Sequence, residues 1–189
     1  MTIATGRNAF GVVGKDSVVK SISKEKYYDG SISLRCAHEI IRYIDSKNVL
    51  KNIEIMNSWK IFISKANGGA GLLTDDKQVS ILGKSYLAEP KSVCTDSLIP
   101  IGCFKTREEA ENLCKYMSTK FLRFMVGIVK SSQNLYQPVY KFVPMQNFSN
   151  KSDINWNNDI HNIDKQLYQK YNLTESEIDY IESKIKELD

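Results

Sequence analysis

The segment Thr106–Ser131 carries the clearest regular pattern in the chain and constrains its fold most strongly. Thr106 followed by Glu109 is a capping-box signature, which predicts a helix start. Apolar residues then recur at helical spacings, namely Ala110, Leu113, Cys114, Met117, Phe121, Phe124, Met125 and Ile128. This period predicts one long amphipathic helix. The opposite side carries Lys115, Thr119, Arg123 and Lys130, which predicts that the helix has a basic outer end.

Short strand-like runs occupy most of the sequence before this segment. They read AFGVV, SVVKSI, SISLRC, IIRYI, KIFIS, VSIL, SYLAEP and SLIPIGCF, and a further run, YKFVPMQNFS, follows the helix. Glycines and polar turns separate them, as expected for strands. IIRYI also suits a short helix, because five residues do not fix a period. DSKNVLKNIEIMNSW predicts a short helix, and Pro90 and Pro100 predict edge strands or strand ends.

The last part of the sequence predicts two helices after the polar, linker-like segment SNKSDINWNND. The first lies around Ile160–Tyr171, and the second opens at the capping box of Thr174 and Glu177. The predicted fold is therefore α+β, with short mixed or antiparallel strands packed on one long amphipathic helix and a C-terminal helical pair. We expect residues 1–150 to form one domain, and residues 151–189 to be a linker and a helical tail packed on it.

The charge is distributed unevenly between these two parts. Residues 1–150 hold 21 Lys and Arg against 13 Asp and Glu, a net charge of +8, whereas residues 151–189 hold 5 against 9, a net charge of −4. A basic body is compatible with a polyanionic partner, because cations that neutralise phosphates release counterions. The composition alone is equally typical of proteins that bind no nucleic acid.

Several classes of protein are disfavoured by the residue patterns. No apolar run is long enough for a transmembrane helix, and MTIATGRNAFGVVGK lacks the order of a signal peptide, which predicts a cytoplasmic location. The four cysteines form no CxxC pair and the two histidines are far apart, which disfavours a zinc site. The sequence contains no GxSxG elbow, which disfavours nucleophilic catalysis by a serine of that type.

The glycine-dense stretch NGGAGLLTDD follows the buried run KIFIS. It lacks the GxxxxGK[ST] pattern and the GxGxxG fingerprint, so it is not a nucleotide-phosphate loop. One interpretation is a plain connection between strands. The other is a loop that approaches a nucleic-acid groove, with Lys65, Asn67, Lys77 and Gln78 supplying phosphate and base-edge contacts.

Two further features leave alternatives open. Asp75 and Asp76 followed by Glu89-Pro90-Lys91 match the acid and E-x-K layout of magnesium-dependent nucleases, but the pattern is short and degenerate. The polar stretches SVCTDS and SSQNLYQ suit turns. They also suit a reading surface, in which Gln133 or Asn134 contacts adenine.

Several segments, taken in order, resemble a known family. They are WKIFISKANGGAG, ILGKSYLAEPKSVCTDSLIPIGCFKTREEAENLCKYMSTKFLRFMVGIVKSSQ, VYKFVPMQNFS and LYQKYNLTESEIDYIESKI. Together they look like the C-terminal target-recognition region of bacterial restriction-modification adenine-specific DNA methyltransferases, of the Eco57I-type and TaqI-like group. The resemblance starts near ATGRNAFGV and covers nearly the whole chain. Ala9 stands where the family usually has proline.

The resemblance implies an α/β recognition domain that binds double-stranded DNA while a separate methyltransferase catalytic domain, in the same or a partner chain, flips the target adenine. The family's glycine-rich S-adenosylmethionine motif and its Asn-Pro-Pro-Tyr motif are both absent from this sequence. We therefore expect no cofactor and no catalytic activity in this chain alone. S-adenosylmethionine is expected in the catalytic domain.

The residues that we expect to contact DNA lie in three groups. They are Lys65, Asn67, Lys77 and Gln78 at the glycine loop, Lys91, Ser92 and Thr95 in the second stretch, and Lys130, Gln133 and Asn134 at the helix end. Lysines would contact phosphates and amides would read bases. The alternatives are a magnesium-dependent restriction endonuclease fragment and a protein-interaction module that docks a methylase domain.

Overall fold

The structure is a computed structural model, and it describes residues 2–4, 8–12, 16–66, 73, 78–130, 135 and 137–188. It contains both helices and strands, which confirms the predicted α+β class. The helices are α1 Asp16–Ile22, α2 Ile53–Met56, α3 Arg107–Ser118, α4 Lys120–Val129, α5 Ile160–Lys170 and α6 Glu175–Lys184. The strands are β1 Ser31–Arg35, β2 Ile41–Asp45, β3 Trp59–Ser64, β4 Ser85–Ala88, β5 Ser92–Cys94 and β6 Leu98–Phe104.

The chain divides into two compact units. The first comprises residues 1–65 and 86–110, and the second comprises residues 66–85 and 111–189. This division does not coincide with the predicted boundary at residue 150, because α4 packs with α5 and α6.

The first unit contains two small sheets. In one, the order is β2-β1-β5, with β1 antiparallel to β2 and parallel to β5. In the other, the order is β4-β3-β6, with β3 antiparallel to β6. Pro100 lies within β6, the outer named strand of its sheet, as predicted, and edge strands tolerate a missing N–H.

The core of the first unit forms from the apolar runs that predicted strands. It includes Phe10, Leu34, Ile44, Phe62 and Val93, all of which are almost completely buried. Phe10 meets Phe62 edge-on, with ring centroids 6.4 Å apart. The strand prediction for SVVKSI is wrong, since these residues lie in α1.

The predicted single helix over Thr106–Ser131 is instead two helices. Thr119 adopts an extended backbone, with ψ at 146°, and its side chain accepts a hydrogen bond from the Leu122 N–H at the start of α4. A threonine that caps a new helix in this way ends the preceding one. The predicted capping box at Thr106 and Glu109 is confirmed by hydrogen bonds in both directions.

The predicted basic outer end of this segment is wrong. Thr119, Arg123 and Lys130 are buried, with exposed fractions of 0%, 1% and 2%. Arg123 donates to the carbonyls of Thr119 and Lys186, and the Lys130 ammonium donates to the Ile81 carbonyl at 3.1 Å. These hydrogen bonds to main-chain carbonyls lower the cost of burying the two cations in the interior of the second unit.

The segment predicted as a polar linker is packed. Trp156 is buried, and its indole N–H donates to the Asn147 carbonyl at 2.9 Å. Its ring lies 6.0 Å from that of Tyr116 and 5.4 Å from that of Phe148, measured between centroids. YKFVPMQNFS forms no strand, and its first residue ends the short 3₁₀ turn Gln137–Tyr140.

The predicted C-terminal helical pair is confirmed as α5 and α6. The capping box at Thr174 and Glu177 is present at the start of α6. Ile181 and Ile185 are buried, and α6 packs on α4. Among the described residues, no helix combines the length and the apolar character needed to cross a bilayer.

Candidate nucleic-acid interface

The outer face of the first sheet is built by alternation along β1. Ser31, Ser33 and Arg35 are half-exposed, whereas Ile32 and Leu34 are buried. Successive side chains in a strand point to opposite faces, so the buried pair joins the core and the others form an outward row. The run SISLR therefore places two hydroxyls and a guanidinium on one exposed face.

Strand β2 extends this outward row. Its register pairs Ser33 with Tyr43 and Arg35 with Ile41, and paired residues lie on the same face of a sheet. The Tyr43 ring meets the exposed Tyr27 ring edge-on, with centroids 5.8 Å apart. We call the outward surface of β1 and β2, with the residues that border it, the sheet face.

A cleft of about 250 Å³ opens at the Arg35 end of the sheet face. We call it the arginine cleft, because Arg35 and Arg107 both line it, together with Trp59, Phe62, Leu87 and Glu89. Its lining combines two basic residues, several apolar residues and one acidic residue.

Both arginines of this cleft lie against aromatic rings. The Arg107 guanidinium carbon is 6.0 Å from the Trp59 ring centroid, and that of Arg35 is 4.4 Å from the Tyr86 centroid. The Tyr86 hydroxyl donates to Glu39 at 2.9 Å, and this hydrogen bond, with burial, raises the pKa of Tyr86. Arginine combines contact with aromatic faces and binding of carboxylate or phosphate oxygens, which makes it suited to a cleft of this composition.

A second, larger cleft of about 630 Å³ adjoins the first and shares Ser33 and Glu89 with it. We call it the tyrosine cleft, since Tyr27 and Tyr43 line it with Asn57 and Lys91. Lys91 is exposed and has a left-handed backbone, with φ at 59° and its N–H bonded to the Met56 carbonyl at 2.8 Å.

The first unit carries the positive charge of the chain. It contains 14 Lys and Arg against 10 Asp and Glu, a net charge of +4, whereas the second unit contains 12 of each. A surface for a polyanion is therefore favoured on the first unit.

The structure places the predicted DNA contacts in different environments. Lys91 and Ser92 line the clefts of the sheet face, although Ser92 is buried and donates to the Glu89 carbonyl. Lys65 forms an ion pair with Asp96 at 3.1 Å, with 18% of its side chain exposed. Thr95 is buried in the same unit.

Two of the remaining predicted contacts, Gln78 and Lys130, do not join the sheet face. Gln78 belongs to the second unit and donates to the Glu182 carbonyl at 3.5 Å. Lys130 is buried, so its ammonium is not offered to a phosphate. Asn67, Lys77, Gln133 and Asn134 lie outside the described residues.

Sequence reasoning missed the residues that define the sheet face, above all Arg35, Arg107, Trp59 and Tyr43. A signal for Arg35 was present, since SISLR alternates and its polar positions share one face. Arg107 follows a helix cap, and no local pattern places it near Trp59.

The nuclease layout gains no support from the described residues. Asp75 and Asp76 lie outside them, and the part of the chain that the structure describes contains no cluster of His, Cys, Asp and Glu suited to a metal ion. Glu89 instead contributes to both clefts of the sheet face.

Comparison of the chain with protein-family models, curated proteins and solved structures returns no match.

Proposed function

We propose that this chain is a sequence-specific recognition domain for double-stranded DNA, acting with the catalytic domain of an adenine-specific methyltransferase in a restriction-modification system. The ordered sequence segments that resemble this family support the class of protein. The observation that carries the surface assignment is the grouping of Arg35, Arg107 and Lys91 around hydroxyl and aromatic side chains on the sheet face.

The chemistry of the sheet face suits both parts of DNA recognition. Arg35, Arg107 and Lys91 supply cations for phosphates, which position a protein on the duplex without reading sequence. Ser33 and Asn57 supply groups that read base edges, and the Glu89 carboxylate suits the amino group of cytosine. Arginine also reads guanine through two parallel hydrogen bonds.

The catalytic domain supplies the cofactor and the reaction in this proposal. S-adenosylmethionine would bind there, and the present chain would hold the duplex in register for the adenine to be extruded. The glycine loop, Lys65 and Lys91 remain proposed contributors to phosphate contact.

Duplex binding by the intact chain, titrated across salt concentration without magnesium, tests the proposal. We expect log K to fall linearly with log salt. Arg35→Gln and Arg107→Gln should each reduce the slope by about one, whereas Lys151→Gln, an exposed cation of the second unit, should leave it unchanged.

Two outcomes of this experiment would contradict the proposal. One is the absence of duplex binding at low salt. The other is a slope of log K against log salt that is the same in the parent chain and in all three variants. A parallel series with magnesium tests the nuclease alternative, for which cleavage that disappears in Glu89→Ala would be the supporting result.

A further inference from the structure

We propose that the arginine cleft binds a single unpaired nucleotide, with the base against Trp59 and the apolar wall and the phosphate on Arg35 and Arg107. The nucleotide would come from a DNA duplex from which it is displaced, and this part of the inference rests on the proposed function. It differs from the adenine that a catalytic domain would extrude, because the cleft lies within the recognition chain.

The apolar part of the cleft suits the face of a base. Trp59 is half-exposed there, and Phe62, Leu87 and Ile41 continue the apolar lining. Aromatic side chains stack on any unpaired base, since every base has a π-face. A volume of about 250 Å³ is smaller than the clefts that take drug-sized ligands, and it suits one nucleotide better than a base pair.

A β-bulge accounts for the position of Trp59 at the cleft. Trp59 pairs with Phe104 and Ile61 pairs with Ile101, so β6 contains one residue more than β3 between these pairs. Gly102 lies in this irregular stretch with φ at 97°, a backbone conformation that favours glycine. Bulges re-aim neighbouring side chains, and here the indole stays at the surface while Lys60 is buried.

The two arginines of the cleft lie in regular secondary structure. Arg35 ends β1, and Arg107 is the first residue of α3, whose start is fixed by the Thr106 and Glu109 capping box. Arg35 and Arg107 both line the cleft, and arginine binds phosphate oxygens through parallel N–H groups. Packing of an arginine on an aromatic ring would explain the Arg35 contact or the Arg107 contact taken singly. It would not explain why both arginines line the same cleft.

Glu89 is the feature of the cleft that opposes an anion. Glu89 lines the cleft and carries a negative charge, so a free phosphate there would experience repulsion as well as attraction. A nucleotide resolves this conflict, because the exocyclic amino group of cytosine or adenine donates to a carboxylate while the phosphate contacts the arginines. The cleft therefore favours amino-bearing nucleotides over inorganic phosphate.

Tryptophan fluorescence of the intact chain tests the assignment directly. The sequence has only Trp59 and Trp156, and Trp156 is 4% exposed in the second unit. We expect deoxycytidine and deoxyadenosine 5′-monophosphates to quench Trp59, with weaker effects from the nucleosides and none from inorganic phosphate. Trp59→Phe should abolish the quenching and keep the Trp156 emission, which also reports that the variant is folded.

A second variant makes the test independent of the tryptophan. Arg107 is exposed, so Arg107→Gln should fold normally and weaken nucleotide binding by about tenfold to a hundredfold, whereas Lys151→Gln should bind as the parent does. The parent chain and Lys151→Gln, but not Arg107→Gln, should also bind duplexes with one unpaired nucleotide more tightly than matched duplexes.

The outcomes separate this inference from the proposed function. If the monophosphates neither quench nor bind and an unpaired nucleotide adds no affinity, the cleft assignment is overturned, while persistent binding of matched duplex keeps the proposed function. If the monophosphates bind but no duplex does, the proposed function fails and the cleft assignment stands. Equal binding by Arg107→Gln and the parent would overturn the role of the arginines.

Discussion

The ammonium of Lys60 donates a hydrogen bond to the main-chain carbonyl of Glu89, 2.8 Å away, and so ties β3 to the segment between β4 and β5. It also donates to the carbonyls of Met56 at 3.2 Å and Ser58 at 3.0 Å. The side chain is completely buried, and burial lowers the pKa of Lys60 to about 8. Its three donors meet three acceptors, which compensates the cost of burying the cation.

We predict that Lys60→Met lowers the free energy of unfolding by about 1–3 kcal/mol, because three carbonyls lose their donor in the interior. Urea denaturation at pH 7 measures the change. Lys65→Met is the matched control, and its half-exposed ion pair with Asp96 should contribute less than about 1 kcal/mol. Equal losses from the two substitutions would contradict the structural role of Lys60.

The elements that the sequence predicts correctly are those with complete local signals. Strand β1 alternates, KIFIS has three consecutive apolar residues at its centre, and the capping boxes at Thr106 and Thr174 lie within four consecutive residues each. Each of these signals lies within a few neighbouring residues, so the sequence is sufficient to predict the helices and strands that define the α+β class.

The break at Thr119 is invisible in the sequence for a specific reason. The apolar period continues through it, since Phe121 and Leu122 are buried in α4 just as Leu113 and Met117 are in α3. Burial of Lys60 and Lys130 is equally hidden, because their acceptors are main-chain carbonyls that any sequence could supply.

The candidate site depends on contacts between distant segments. Glycine content marks the loop after Lys65 in the sequence, whereas the sheet face arises from the register that brings Tyr43 beside Ser33 and from the position of Arg107 near Trp59. Residue types and spacing do not encode such pairings, so alternation in β1 was the one usable signal.

Gly11 and Gly30 make a matched pair for a test of backbone strain. Both have positive φ, at 63° and 78°, but a Cβ at Gly11 would lie 3.0 Å from the Leu50 Cβ, whereas at Gly30 it would meet no described atom within 4 Å. We predict a loss of about 2–3 kcal/mol for Gly11→Ala and about 1 kcal/mol for Gly30→Ala. Thermal denaturation of both variants checks this order, and a larger loss at Gly30 would contradict it.

The C-terminal helix α6 should act as part of the core of the second unit. Ile181 is 3% exposed, whereas Ile178 on the same helix is half-buried. We predict that Ile181→Ala lowers the free energy of unfolding by about 2–4 kcal/mol and Ile178→Ala by less than about 1 kcal/mol. Chemical denaturation measures both, and a small loss at Ile181 would indicate that α6 is a loosely attached arm.

Asp164 on α5 holds the start of α4. Its two carboxylate oxygens accept hydrogen bonds from the N–H groups of Lys120 and Phe121, both at 2.9 Å. Burial raises the pKa of Asp164 to about 6, against the opposing effect of these hydrogen bonds. Between this value and the ordinary value of 3.8, the folded state therefore binds more protons than the unfolded state.

It follows that the parent chain should gain stability relative to Asp164→Asn as the pH falls from about 6 towards 4, at up to about 1.4 kcal/mol per pKa unit of difference. Urea unfolding of both proteins across this range measures the change. Asp159→Asn provides a control of opposite sign. The hydrogen bond from the Asn162 N–H lowers the pKa of Asp159, so the advantage of the parent over that variant should shrink as the pH falls below 4. A constant difference between the parent and Asp164→Asn from pH 7 to pH 4 would show that Asp164 has an ordinary pKa in the folded protein.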